Sequence, residues 1–313
     1  MRELLDRRKK VLELRGKSAL VTGAARGIGF ATARALVARG ASVAIVDLDP
    51  EAAKAAAAQI APPPGGAGGP VAIGIGADVA DAEAIEAAAT EAAGALGGID
   101  ICVANAGIAP LGATVRALDP AAFERVIDVN LLGVWRTVRA VLPYVTESRD
   151  GGHLVLISSV YSFTNGACVS PYACSKAAVE QLGRSLMVEL AGDGTGVSVA
   201  YFGFVDTEMV RQGFEKDELG RRMQSMVPSR LRESITPTHA GESIVRGIET
   251  RRPQIIEPRK WVPLSLFRGI TGPLSDRTMV NHPRLQEMIR EADVPNSRPG
   301  PALTDTASRP AKK

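Results

Sequence analysis

Tyr172 and Lys176 lie four residues apart in a stretch predicted to be helical over 171–190, so both side chains leave one face of the helix toward the same place. A phenol of ordinary pKa, about 10, is a poor base at neutral pH, but a neighbouring ammonium favours the phenolate and lowers that value. The pair is a candidate proton-transfer group. Ser158 and Ser159 stand just upstream, at the end of a strand predicted over 153–158.

A second chemistry-bearing segment is Thr22-Gly23-Ala24-Ala25-Arg26-Gly27-Ile28-Gly29, which follows a predicted strand and opens a predicted helix. Glycines allow a tight turn and close backbone approach to a pyrophosphate, while the helix's free N–H groups and positive dipole end favour its charge. Asp47 ends the next predicted strand, roughly 20 residues on. A carboxylate there accepts hydrogen bonds from adenosine ribose hydroxyls and repels a 2′-phosphate, so NAD(H) is the expected cofactor. Arg26 points the other way, because a guanidinium in this turn can receive the 2′-phosphate of NADP.

Positioning these groups requires a scaffold, and its pattern is visible. Apolar runs at 18–22, 42–47, 71–77, 99–104, 153–158, 197–201 and 254–257 alternate with helical patterns at 28–39, 51–60, 81–96, 120–146, 171–190 and 238–250. This alternation predicts an α/β fold: a doubly wound, seven-stranded parallel sheet with helices on both faces, in a single domain. Residues 61–70 are expected to form an elongated surface loop, since proline lacks a donor and glycine lacks restraint. Residues 206–237, rich in methionine, arginine and glutamate, are expected as a helical excursion above the sheet's carboxyl edge, where such sheets bind ligands. The domain is read as 18–258, preceded by a basic extension at 1–17 and followed at 259–313 by a proline-punctuated arm and a disordered tail.

With the glycine turn, the Tyr-x-x-x-Lys pair and the upstream serine in register, the chain resembles the short-chain dehydrogenase/reductase family, in its compact oxidoreductase branch, over about residues 17–258. Further motifs carry the likeness: Asp78-Val79, Asn105-Ala106-Gly107, Asn130, and Ser175 within Tyr172-x-x-Ser175-Lys176. The resemblance implies a Rossmann-type fold and hydride transfer between a nicotinamide cofactor and a secondary alcohol or ketone. The family's thirteen-residue spacing before the tyrosine selects Ser159 over Ser158. Tyr172 is then the general acid or base, Ser159 holds the reacting oxygen, Lys176 also meets the nicotinamide ribose, and Asn130 orders a water linking Lys176 to solvent. Gly23, Arg26, Gly27, Ile28 and Gly29 form the cofactor turn, Asp78 with Val79 meets the adenine, and Asn105, Ala106 and Gly107 line the ribose side. After the sixth strand the family's Pro-Gly-x-Val-x-Thr reads Phe202-Gly203-Phe204-Val205-Asp206-Thr207 here, keeping Val205 and Thr207 for the carboxamide but replacing the proline.

Charge and cysteine content narrow the alternatives. Residues 1–17 carry 7 basic and 3 acidic side chains, 18–250 carry 18 and 25, and 251–313 carry 12 and 6, so an acidic core lies between basic ends. Such ends are ordinarily solvated tails, and no nucleic-acid partner is expected. The cysteines, Cys102, Cys168 and Cys174, have neither C-x-x-C spacing nor a histidine cluster, which argues against disulfides and a metal site and for a reducing, cytoplasmic setting. The first residues do not read as a signal peptide, and no run approaches the roughly 20 apolar residues that span a bilayer. His153, His239 and His282 are expected in structural or surface roles. Cys102 and Cys174 are expected to be buried, and Cys168, between Ser159 and Tyr172, to be reachable by thiol reagents.

The segments expected around the substrate supply Val160, Tyr161, Phe163, Val169, Phe202, Phe204, Met209, Phe214, Met223 and Met226, which suits a bulky apolar alcohol or ketone. The stretch 261–270 (WVPLSLFRGI) is too short to span a membrane. It is expected to be an intersubunit contact or a pocket lid in a homodimer or homotetramer, with contact at a membrane surface as the rival reading.

Overall fold

The computed structural model describes residues 11–62, 68–109, 112–211 and 218–293. Seven strands form one parallel sheet: β1 (Ser18–Thr22), β2 (Ser42–Asp47), β3 (Ala72–Gly76), β4 (Ile101–Ala104), β5 (His153–Ser159), β6 (Gly196–Phe202) and β7 (Gln254–Glu257), in the order β3-β2-β1-β4-β5-β6-β7. Every residue of β1, β4 and β5 is buried, as a sheet covered on both faces requires. The order reverses between β1 and β4, which opens a crevice at their carboxyl ends.

The connections are α1 (Gly27–Val37), α2 (Pro50–Ile60), α3 (Ala82–Leu96), α4 (Pro120–Ile127), α5 (Gly133–Thr146), α6 (Ser170–Glu189), α7 (Glu218–Met226) and α8 (Pro237–Glu249). Their starts follow from local chemistry. Asp49, Asp81 and Asp119 each accept backbone N–H groups of the turn they precede, and prolines occupy the first turn of α2 and α4, where no donor is lost. On one face Leu36, Ile45, Ile244 and Ile248 pack together, and on the other Leu20, Ile85, Val138 and Leu156 do, so each sheet face has its own core. Both cores are rich in alanine, which lets helices lie close to the sheet.

Three features depart from the sequence expectations. A single helix was expected over 120–146, whereas a π-helical segment, Asp128–Leu132, separates α4 from α5. Beyond β7 the proline-punctuated arm is helical: α9 (Val262–Leu266), α10 (Arg268–Val280) and α11 (Pro283–Ala292). Pro263 and Pro283 sit in the first turns of α9 and α11, while Pro273 lies inside α10. Cys174 is exposed rather than buried, because its position on α6 faces solvent, while Cys168 is buried beneath the arm rather than reachable.

Leu12 and Leu14 pack into the sheet core, and the Leu12 N–H donates to the Glu249 carbonyl. His153 is fully buried against the Ser198 hydroxyl, His239 sits by Glu257, and His282 caps α11, three structural roles. The loop expected at 61–70, the tail expected at 296–313 and Phe214 fall partly or wholly outside the described residues.

Candidate active site

The glycine turn is braced from the neighbouring strand. Thr22, the last residue of β1, accepts the backbone N–H groups of Asn105 and Ala106 on its hydroxyl at 3.1 and 3.2 Å. The Asn105 amide donates in return to the Thr22 and Gly23 carbonyls at 2.9 and 3.0 Å. A Cβ at Gly29 would lie 2.6 Å from that amide nitrogen, and one at Gly23 would lie 2.8 Å from the Ala106 backbone, with Gly23 already at φ +61°. Glycine is required at both places by close approach. Gly27 also has a positive φ and lies against the Thr207 methyl.

Past the turn, Arg26 is the N-cap residue of α1, and no side chain caps that helix. Its first-turn N–H groups, from Gly27, Ile28 and Gly29, are therefore free to receive an anion. Asp47 sits at the end of β2 and accepts the Ala25 N–H at 2.9 Å, which fixes its carboxylate beside the turn. The exposed Arg26 guanidinium pairs with none of the described residues. Asp78 accepts from the Ala80 N–H at 2.9 Å and from Arg125 at 3.4 Å, and Val79 is buried against the start of α5.

The proton-transfer residues meet at the carboxyl end of β5. Ser158 turns its hydroxyl onto the Lys176 backbone carbonyl at 2.8 Å, so it faces away from Tyr172. Ser159, the last residue of β5, donates to the Phe202 carbonyl at 3.4 Å and accepts the Tyr161 N–H at 3.3 Å, with the Tyr172 phenol nearby. The Tyr172 ring meets Tyr161 edge-on, centroids 6.0 Å apart. Lys176 is buried and donates to the Ile157 carbonyl at 2.9 Å, with its nitrogen 5.6 Å from the Tyr172 ring centroid. Asn130, held by the π-helical segment, exchanges both its amide bonds with the Ile108 backbone at 2.8 Å and also reaches the Ser175 hydroxyl at 3.2 Å. A Cβ at Gly107 would sit 3.2 Å from Asn130 and 3.5 Å from the Lys176 nitrogen, so these three residues converge.

One electrostatic expectation is corrected. Burial raises the Tyr172 pKa, where Lys176 was expected to lower it, and the opposing effect comes from the Ser159 hydroxyl. Burial also lowers Lys176 itself, to about 8. Its ammonium points to a backbone carbonyl over the ring, not to the phenolic oxygen.

The sixth strand runs through Phe202 despite the lost proline, pairing with Ser159 on one side and Glu257 on the other. Val205 is buried and bridges to Ile235, while Thr207 caps the helical turn Glu208–Val210. Trp261 lies buried over Gly203, whereas Leu266, Phe267 and Ile270 of the same arm are exposed. Of the apolar residues expected around the substrate, Val160, Phe202 and Phe204 are buried, Met209 is exposed, and Met223 and Met226 pack with the arm. The arm's own apolar residues Leu285 and Met288, which the sequence reading passed over, join that packing.

Comparison with known proteins bears on this geometry. Residues 17–218 match the model of the short chain dehydrogenase family. A Mycobacterium tuberculosis protein named "Probable oxidoreductase EphD" is 37% identical over 242 residues, 74% of this chain and 39% of that protein, so the chain spans about two fifths of that relative's length. The cis-4-hydroxycyclohexanecarboxylate dehydrogenase of Sinomonas cyclohexanicum is 38% identical over 192 residues, 61% of this chain and 74% of that protein. A crystal structure of a short-chain type dehydrogenase/reductase from Mycobacterium marinum aligns with TM-score 0.67 and 28% identity, covering 81% of this chain and 96% of the other. With the parallel seven-stranded order and the matched range, these likenesses identify the chain as a member of the short-chain dehydrogenase family, whose enzymes use nicotinamide cofactors, NAD or NADP.

Proposed function

We propose that the protein is an NAD(H)-dependent oxidoreductase that interconverts a bulky, apolar secondary alcohol and its ketone. The observation that carries this reading is the meeting of Ser159, Tyr172 and Lys176 at the carboxyl end of β5, two strands from the uncapped start of α1. When bound, the nicotinamide exchanges a hydride at its C4 atom with the carbonyl carbon. Tyr172 then gives its phenolic proton to the carbonyl oxygen in reduction and takes the alcohol proton in oxidation, so that ketone, NADH and one proton balance alcohol and NAD. Ser159 holds the reacting oxygen beside the phenol. Lys176 would pass the proton onward through a water ordered by Asn130, and Lys176 would also meet the nicotinamide ribose.

The cofactor fits the residues present. Gly23 and Gly29 let the turn pack against Ala106 and Asn105, so that the Gly27 and Ile28 N–H groups at the start of α1 would receive a pyrophosphate, and Asp47, held beside the turn, would meet a ribose. Asp78 and Val79 would receive the adenine, Asn105, Ala106 and Gly107 the ribose side, and Val205 and Thr207 the carboxamide. A second reading, an NADP-dependent carbonyl reductase, is favoured by the exposed Arg26 guanidinium, which has no ion-pair partner among the described residues. A non-catalytic cofactor-sensing role is disfavoured by retention of both Tyr172 and Lys176.

A cytoplasmic homodimer or homotetramer is the proposed setting. Among the described residues, no helix is long and apolar enough to cross a membrane. Leu266, Phe267, Ile270 and Leu274 are each more than half exposed on the arm, an apolar face that a second copy would cover. Light scattering gives the mass directly. The decisive experiment is turnover of a panel of secondary alcohols with NAD, repeated for Tyr172→Phe. That variant is expected to bind NADH within a few-fold of the parent and to lose more than about 99% of kcat, roughly 2.7 kcal/mol in barrier. Retention of more than about a tenth would overturn the assignment.

A further inference from the structure

A third apolar cluster stands apart from the two sheet cores: Cys168, Leu285, Met288 and Ala292, with Met223, Met226, Met279 and Ile289 packed against it. It is drawn from three parts of the chain that the sheet does not order. Cys168 lies four residues before Tyr172, Met223 and Met226 belong to the excursion after β6, and the rest come from α10 and α11. Four of the chain's seven methionines gather here. Methionine is unbranched and polarisable, and it fills irregular space without fixing its shape.

Polar ties hold the arm over this region at three points. Asp293, just after α11, accepts from Thr114 and Arg116 of the loop that follows β4, at 2.5 and 2.6 Å. Glu291 takes a two-pronged bond from Arg222 of α7. Asp276 of α10 accepts from Asn165, in the loop between Ser159 and Tyr172, at 2.9 Å. Each tie ends on a segment that leaves the carboxyl edge of the sheet, the side on which Tyr172 stands. The match to the family model ends at residue 218, short of α10 and α11.

We infer that α11 is the roof of the substrate site within the same chain, and that Met288 and Leu285 are specificity-determining residues that grip the apolar part of the alcohol or ketone. This rests on the hydride-transfer reading above and adds the substrate's long dimension to it. Leu285, Met288, Ile289 and Ala292 form one stripe of α11 at helical spacing, facing Cys168. A deformable methionine surface on the tyrosine's side of the sheet suits apolar chains of varied length better than a rigid, hydrogen-bonding ligand.

The probe is the series of 2-alkanones from butanone to 2-undecanone. Turnover is followed by NADH oxidation in the parent and in Met288→Ala, and binding by the fluorescence of bound NADH in the Tyr172→Phe background. Affinity is expected to rise with chain length in the parent. Met288→Ala is expected to weaken 2-undecanone about tenfold and butanone less than twofold, and Met288→Trp to move the optimum to shorter ketones. An equal loss at every length marks a merely structural residue and overturns the proposal, as does no change or no binding. Length-dependent binding without turnover by the parent would instead overturn the hydride-transfer reading and leave the roof standing.

Discussion

Arg268 of α10 donates to Glu180 of the tyrosine-bearing helix α6 at 2.6 Å, and Glu180 is almost wholly buried. The arm thereby covers a carboxylate eight residues beyond Tyr172. Removing the cation leaves that charge buried without its partner, which costs more than the pair itself contributes. Because Arg268 is partly exposed, the loss expected for Arg268→Ala is moderated by solvent, to about 1–2 kcal/mol. Urea unfolding checks it; a change below about 0.3 kcal/mol would show that Glu180 finds water instead.

The buried ammonium of Lys176 gives a second expectation. Its folded pKa, about 8, lies below the ordinary 10.5 because burial disfavours the charged form. Between those values the unfolded chain holds a proton that the folded chain has released, so stability rises with pH through this window. The unfolding free energy of the parent, less that of Lys176→Met, should therefore climb from about pH 8 toward 10.5 and be level below it. A difference that is flat or falling across the window refutes the burial argument.

Cofactor choice turns on Asp47 against Arg26. With the carboxylate fixed by the Ala25 N–H, the parent is expected to prefer NAD, and Asp47→Ala to narrow that preference at least tenfold by lifting repulsion of the 2′-phosphate. Ratios of kcat/KM for the two cofactors measure it. Better use of NADP by the parent would make Arg26 the governing residue.

Thiol chemistry separates the three cysteines by position. Cys174 is exposed, Cys102 is buried with its pKa raised to about 12, and Cys168 is buried under α11. Maleimide is expected to label Cys174 at least ten times faster than either other thiol, since the thiolate is the reactive form and must be reached. Peptide mass mapping over time would show it, and equal rates at Cys168 would mean that the arm does not cover it.

The strands, their parallel order and the glycine turn were legible in the chain because each is written locally: buried β-branched runs, alanine-rich spacing, and glycines beside a strand end. Helical spacing puts Tyr172 and Lys176 on one face, but only the glycine turn and the upstream serine in register with them marked the pair as a candidate site. Ser159 could be separated from Ser158 only by family spacing; in the fold the Ser158 hydroxyl donates to the Lys176 carbonyl. The π-helical segment that sets Asn130 against Ile108 left no periodic mark, because one widened turn hardly disturbs the apolar spacing of 120–146.

What the tertiary structure alone decided lies where distant segments meet. The sign of the Tyr172 shift depends on burial and on where the Lys176 nitrogen points, and neither is encoded by their four-residue separation. The arm's prolines hid helices whose signals were present, a His282-Pro283 start and apolar residues at 285, 288, 289 and 292. Their partners Cys168, Met223 and Glu180 lie more than fifty residues away in the chain. A sequence states which residues share a helix face; only the packed chain decides what that face covers.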